Sequence, residues 1–315
     1  MKSNVGKTLL SAIALLTVFS LFGFFANESI INVVSRIIIM SLYAVSFNLM
    51  FGYTGMTSIG HALYFGFGGY SLMILLTKYN MAVPKAALLS CLIVIPLAWF
   101  LGTAALKNSM LTFSFLTMGL CTTVQLVIYK TTSIGGTVGI TYYFLPEWLS
   151  GFRALYFFIL ACVTVCIFVI YLLTLSPYVQ VLKGVRENDE RMTFLGVNIH
   201  RMRVSVFVIS SLFANIAGIL YAFRNSGVYT SSLDGIVSMQ AIMMCIIGGS
   251  SSFTGPIVGS AIITVLQNWL SLKTKYFEGV IGIVILLTAY FMRGGLLGHE
   301  GLINKTYLKL KAAAL

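Results

Sequence analysis

Lys183-Gly184-Val185-Arg186-Glu187-Asn188-Asp189-Glu190-Arg191 is the main charged interruption in a chain that otherwise suits hydrocarbon. The chain is 58% hydrophobic and 9% charged, with a mean hydropathy of +0.96. Soluble globular chains carry about 25% charged residues. A compact fold in water cannot hide that much apolar surface, whereas a bilayer is a solvent for it. The reading is therefore all-α: a polytopic integral membrane protein with about 8–10 transmembrane helices, at about 20 residues per crossing. Little is left for a separate catalytic or nucleotide-binding module in 315 residues. Residues 1–315 read as a single transmembrane domain with one polar loop at 176–203.

Working outward from that loop, apolar runs fall near 8–25, 30–50, 58–77, 86–106, 110–129, 154–175, 204–224, 236–249, 254–272 and 277–293. Lys2 and Lys7 precede the first run, but no clear cleavage site follows it, so it reads as a retained helix. The net charge of +12 reflects loop Lys and Arg, with no basic stripe of the kind that tracks phosphates. If the N-terminus is cytoplasmic and ten segments cross, twelve basic residues lie inside, among them Lys183, Arg186, Arg191, Arg201 and Arg203, and seven outside. That bias puts both termini and the 176–203 loop in the cytoplasm. Arg36 alone is basic within a span, where a central Arg costs about 2.5–3.5 kcal/mol. Its position near the segment start allows it to snorkel, and both a structural and a functional role stay open.

The five cysteines, Cys91, Cys121, Cys162, Cys166 and Cys245, sit in apolar runs without a CxxC pair and read as packed thiols, not a metal site or disulfide framework. None of the eight acids falls in the middle of a span, and His61, His200 and His299 are scattered. No HExxH, GxSxG or Gly-rich phosphate loop is present, which argues against an enzyme and against a carrier using an embedded carboxylate. The interior polar residues are uncharged apart from the histidine: Asn48, His61, Gln125, Asn215, Gln240 and Gln267. They suit hydrogen bonds between helices, or a path for a small polar solute. Such a path holds no source of free energy, so active transport would need a partner.

Two glycine-rich breaks stand out, at Gly52–Gly60 and at Gly248–Pro256. Short, glycine-interrupted segments point to a site built from broken helices, and tight turns at the membrane face are the alternative. In the charged loop, Val181, Val185, Met192 and Leu195 give a partial apolar stripe that Gly196 terminates like a C-cap. This predicts a short amphipathic helix over 180–196, whose mixed charges favour a protein partner over anionic lipid.

Three stretches resemble the permease family of ATP-binding-cassette (ABC) importers for branched-chain amino acids, in particular its M-type (Leu/Ile/Val system) subunit. The first is Gly52-Tyr-Thr-Gly55-Met-Thr-Ser-Ile-Gly60-His61-Ala62, continuing to Gly66-Phe-Gly68-Gly69-Tyr70. The second runs from Gly184-Val-Arg186-Glu187-Asn188 to Gly196, and on to Ala217-Gly218-Ile-Leu-Tyr221-Ala222. The third is Gly248-Gly249 followed by Gly255-Pro256-Ile-Val-Gly259. The chain departs from the family pattern at Ser251, where glycine is usual, and at Arg293-Gly294-Gly295-Leu296, where Arg-Pro is frequent.

The resemblance implies a division of labour. Two permeases, here an M-type with a homologous H-type partner, form the pathway in a bacterial inner membrane. Two cytoplasmic ATPases bind ATP, so this chain needs no cofactor or metal of its own, and an extracytoplasmic binding protein delivers solute. Residues Gly184, Val185, Arg186, Glu187, Asn188, Glu190, Arg191, Phe194, Leu195 and Gly196 would couple to the ATPase. In that set Arg186, Glu187, Glu190 and Arg191 make polar contacts, while Val185, Phe194 and Leu195 pack. The solute path would run near Asn48, Gly60, His61, Tyr70, Gln240, Gly248, Gly249 and Gly255. His61 as a packed structural histidine stays open. Urea or short amides, which the family fold also carries, are the alternative solutes, and a secondary carrier without ATPase is the alternative mechanism.

Overall fold

The computed structural model of the chain describes residues 23, 26–107, 109–142, 151–273, 276, 279–283, 286 and 294–297. The run at 8–25 lies outside these residues apart from Gly23, and only 279–283 and 286 of the run at 277–293 are described. Each of the other eight apolar runs forms a helix. Five are long and apolar enough to cross a membrane: α1 (Glu28–Thr54), α3 (Val83–Ala105), α4 (Met110–Lys130), α5 (Phe152–Leu175) and α8 (Ile199–Arg224). They share the bundle with the shorter α2 (Ala62–Thr77), α9 (Gly235–Gly248) and α10 (Gly255–Ser271). The polar loop holds α6 (Pro177–Glu187) and α7 (Asp189–Phe194). A small antiparallel ribbon, β1 (Ile140–Thr141) with β2 (Gly227–Val228), pairs Ile140 with Val228.

Burial separates two classes of helix. The most apolar windows of α1 and α8 are 67% and 72% buried, against 28%, 22% and 17% for α3, α4 and α5. The exposed faces of α3 and α5 carry Leu88, Leu92, Trp99, Phe100, Val165, Phe168 and Leu172, which is the composition a lipid-facing surface requires. The chain is therefore a multi-pass membrane protein with α1, α2 and α8 at its centre.

Glycine decides how closely the central helices approach. A Cβ on Gly218 of α8 would sit 1.8 Å from the Phe65 carbonyl oxygen of α2, and one on Gly68 of α2 would sit 2.1 Å from the Asn215 carbonyl oxygen of α8. The two backbones therefore touch at reciprocal glycines, the small-residue contact that substitutes for hydrophobic drive between helices in lipid. Polar side chains close the same crossing: Asn215 Nδ2 donates to Ser90 Oγ of α3 at 3.2 Å, and Ser90 Oγ lies 2.6 Å from Ser71 Oγ of α2.

This geometry predicts opposite outcomes for two glycine substitutions. Gly218→Val forces α2 and α8 apart, at a cost of about 1–3 kcal/mol or more. It should lower the yield of monodisperse detergent-solubilised protein several-fold. Gly119→Ala in α4, where a Cβ meets nothing within 4 Å, should leave yield and size-exclusion profile unchanged.

Candidate functional site

The charged loop folds as two helices, not the single one predicted over 180–196. Pro177 starts α6 at a position where its missing N–H costs nothing. Val179, Leu182 and Val185 form its buried stripe. At Asn188 the backbone turns extended (φ −159°, ψ 108°), and its side chain accepts from the Arg191 N–H at 2.9 Å to cap α7. An asparagine that can bond its own downstream amide competes with helix continuation, which is why the segment divides there. Gly196 closes α7 in the left-handed region at φ 82°, with the Val197 N–H donating to the Met192 carbonyl at 3.1 Å.

The loop's residues divide into an inward and an outward set. Val185 is 2% exposed, so it packs against this chain and is not available to an ATPase. Arg186 belongs to both sets: its side chain is exposed, while its Nη1 donates to the Gly52 carbonyl of α1. Glu187, Asn188, Glu190, Arg191 and Gly196 are exposed, Phe194 is 91% exposed and Leu195 70%. The stripe therefore differs from expectation at Leu195, which faces outward. Gly184 lies under Met192, whose Sδ would be 2.7 Å from an added Cβ. Asp189 pairs with Arg203 of α8 at 2.6 Å, and the Tyr178 hydroxyl meets Ser205 Oγ at 2.6 Å.

The first glycine break is an excursion into the bundle. α1 stops at Gly55, left-handed at φ 73°, and residues 55–61 run back along it. His61 consequently stacks on Tyr43 with ring centroids 5.4 Å apart and meets Phe47 edge-on at 5.4 Å. Those partners lie roughly 10–16 Å back from the end of α1. His61 is 0% exposed, and α2 thus begins inside the protein. A second stretch outside the α-helices, 225–234, which holds β2 and a short 3-10 turn at Thr230–Leu233, descends from the opposite end. Val228 lies against Gly69 and Leu233 against Gly66, and the α9 Ser238 Oγ accepts the Ala62 N–H of α2 at 2.7 Å.

One face of α4 serves both stretches. The Ser114 hydroxyl donates to the Thr57 carbonyl, Thr117 Oγ1 accepts from the Gly60 N–H at 3.4 Å, Cys121 Sγ contacts the Leu233 carbonyl at 3.1 Å, and Gln125 Nε2 reaches the Thr230 carbonyl at 3.5 Å. These positions recur every three to four residues, one stripe of a helix. Several interior polar atoms keep no partner within the chain: Asn48 Oδ1, Ser58 Oγ, both His61 ring nitrogens and Tyr70 Oη. Buried polar atoms are normally bonded, and an unsatisfied uncharged set is what a path for a polar solute would leave between solutes.

The expected path residues do not all converge. Gly60 and His61 belong to the α1–α2 break, Asn48 lies within α1 beside Gly52, and Tyr70 lies on α2 about 13 Å beyond His61. Gly248, Gly249 and Gly255 form the tight α9–α10 turn at the α6 end, where the Ser250 carbonyl oxygen lies 2.5 Å from a Cβ built on Gly52. Gln240 is half-buried on α9, beside exposed Ile236 and Met239. Sequence reasoning missed Tyr43, Ser114, Thr117, Ser238 and the 225–234 stretch. The turn residues Asn225-Ser226-Gly227 were available as a signal for the last of these. Arg36 is partly buried with Nε unpaired, and Arg224 of α8 donates to the Asn32 carbonyl one turn before it, at 2.9 and 3.1 Å.

A polytopic bundle with an uncharged interior, helices that begin inside it and a polar segment projecting from one end defines a transport permease. The chain belongs to the family of permease components of branched-chain amino acid transport systems, which matches residues 29–289. It is 22% identical to the high-affinity branched-chain amino acid transport system permease protein LivM of Escherichia coli (strain K12), over 98% of this chain and 78% of that one. It is 24% identical to the probable LivM permease of Methanocaldococcus jannaschii, over 87% and 96%, and 23% identical to LivH of Salmonella typhimurium, over 82% and 91%. No solved structure matches. The chain is a permease component, not an enzyme.

Ser238 gives a test of the break itself. Ser238→Ala removes the acceptor for the Ala62 N–H, and an unsatisfied buried donor costs about 1–3 kcal/mol. Thermal unfolding of the purified protein should shift down accordingly. Asp189→Asn, which removes an ion pair whose acid is 45% exposed, should cost less than about 1 kcal/mol in the same assay.

Proposed function

We propose that this chain is the M-type permease subunit of an ABC importer that carries branched-chain amino acids inward across a bacterial plasma membrane. A homologous H-type permease completes the pathway, two cytoplasmic ATPases supply the free energy, and an extracytoplasmic binding protein delivers the solute. The observation that carries the reading is the match over residues 29–289 to permease components of branched-chain amino acid transport systems. The layout of the polar segment supports it. α6 is anchored by its buried stripe, while α7 presents Phe194 and Leu195, rimmed by Glu187, Glu190 and Arg191, to whatever docks there. A fully exposed aromatic beside charges is the pattern of a binding anchor with a polar rim. Both termini and this segment are cytoplasmic in the proposal. The solute passes Asn48 and the break at Gly60 and His61 as the bundle alternates between two closures. ATP is bound by the partners alone.

The importer, co-expressed with its ATPases and binding protein and reconstituted in vesicles, should take up leucine only with ATP. Urea and acetamide offered in parallel should not compete. Burying an aromatic side chain is worth about 1.5–3 kcal/mol, so Phe194→Asp should reduce co-purified ATPase roughly ten- to a hundredfold. Glu187→Ala with Arg191→Ala should weaken it further. Leucine uptake by the purified chain without ATP would overturn the proposal. So would external labelling of a thiol at residue 190 in intact cells.

A further inference from the structure

Three contacts from the charged segment land on the last turn of α1, Gly52-Tyr53-Thr54-Gly55. Arg186 Nη1 donates to the Gly52 carbonyl, Arg186 Cγ would lie 3.5 Å from a Cβ on Gly55, and Lys183 Nζ sits 5.6 Å over the Tyr53 ring. The Gly52 carbonyl is among the last four of α1, which have no partner within the helix. A guanidinium there both bonds the orphan oxygen and meets the negative end of the helix dipole. On the far side of the same turn, Gly52 abuts the Ser250 carbonyl of the α9–α10 turn. That turn is held in its own right, since the Leu296 and Leu297 N–H groups donate to the Ile247 and Gly248 carbonyls at 2.9 and 3.0 Å. The segment, the end of α1 and the α9–α10 turn are thus stacked in direct contact. The α1–α2 break that carries His61 begins at Gly55.

We propose that Arg186 is a positioning residue that ties the α6–α7 segment to the Gly52–Gly55 turn, so that displacement of the segment moves the α1–α2 break and, through Gly52 against Ser250, the α9–α10 turn. This deepens the importer reading and rests on it for what displaces the segment. It also reassigns Arg186, which the family resemblance grouped with the ATPase-facing charges.

Two measurements on Arg186→Gln test it. In the reconstituted full importer, leucine transported per ATP hydrolysed should fall at least fivefold. Co-purified ATPase should stay within twofold of wild type, and Arg186→Lys should recover most of the ratio by restoring a cationic donor. An unchanged ratio overturns the proposal, and so does loss of the ATPases, which would make Arg186 a docking residue. The second measurement needs no partner. Met56, 0% exposed just beyond the turn, is changed to Cys in the otherwise intact chain, and its alkylation rate is followed in membranes. Adding Arg186→Gln should raise that rate several-fold, and an unchanged rate overturns the tie even if ATP-dependent uptake is intact. Absence of ATP-dependent uptake in the wild-type assembly together with a raised alkylation rate would instead sink the importer reading and leave the tie standing.

Discussion

No water reaches the hydrocarbon core to satisfy a free amide, so any chain that leaves the helix inside a bilayer must find its hydrogen bonds within the protein. Two stretches between the α-helices, 55–61 and 225–234, are packed within the bundle and find partners there. α4 gives Ser114, Thr117, Cys121 and Gln125 to their backbone atoms, and α9 gives Ser238. α1 and α8 wrap the same region and are accordingly the most buried of the long helices. The glycine contact between α2 and α8 follows from the same demand. A helix of 16 residues that begins inside the protein is held mainly by its neighbours, and only close backbone approach gives enough dispersion contact without a hydrophobic drive.

The interior so formed is polar without being charged. No Asp, Glu, Lys or Arg is among the buried residues described, whereas Asn48, His61, Ser58, Ser210, Ser211 and Thr264 are. Groups of this kind can pass a neutral or zwitterionic solute by exchanging hydrogen bonds. Among the described residues none of the buried ones is a carboxylate that a driving ion could titrate. A two-state bundle shifts only by as much free energy as something binds one state in preference to the other. In the proposed importer that preference is applied from outside the spans, and the α6–α7 segment is the described surface where polar and apolar anchors coincide.

Much of this was legible from composition and turn chemistry. Eight apolar runs became eight helices, because lipid leaves a long apolar segment few options other than helix. Gly55, Gly196 and Gly249 fell where positive φ was needed, and glycine is the residue that supplies it without a Cβ clash. Other features were hidden for identifiable reasons. The α4 stripe was masked by Thr112, Thr122 and Thr123, which are equally polar but lie on its exposed face. Thr122 and Thr123 satisfy their hydroxyls on their own helix at 2.7 Å. Tyr43 and Phe47 sit in an apolar run buried on nearly all sides, so no periodicity singles them out. The division at Asn188 was obscured because an asparagine amid charges reads as one more solvated residue until its side chain is seen capping α7. The contact of the exposed Arg186 with Gly52 was not decidable from spacing alone, since it depends on where Gly52 ends up, 134 residues earlier.

The split at Asn188 gives the polar segment two mechanical parts with different attachments. α6 is seated by Val179, Leu182 and Val185, each worth about 1.5–3 kcal/mol when fully buried, and it moves only with the bundle. α7 has no buried residue. It is held by the Asp189–Arg203 pair and by Met192 lying over Gly184. In the proposed importer, a load applied at Phe194 would have two contacts by which to reach the bundle: Asp189 with Arg203 at the start of α8, and Met192 with Gly184 of α6, one residue from Lys183 and two from Arg186. The first would pull on the most buried long helix, and the second on the turn from which the α1–α2 break departs. α8 is also the helix that meets α2 at Gly68 and Gly218, where the two backbones are in close contact.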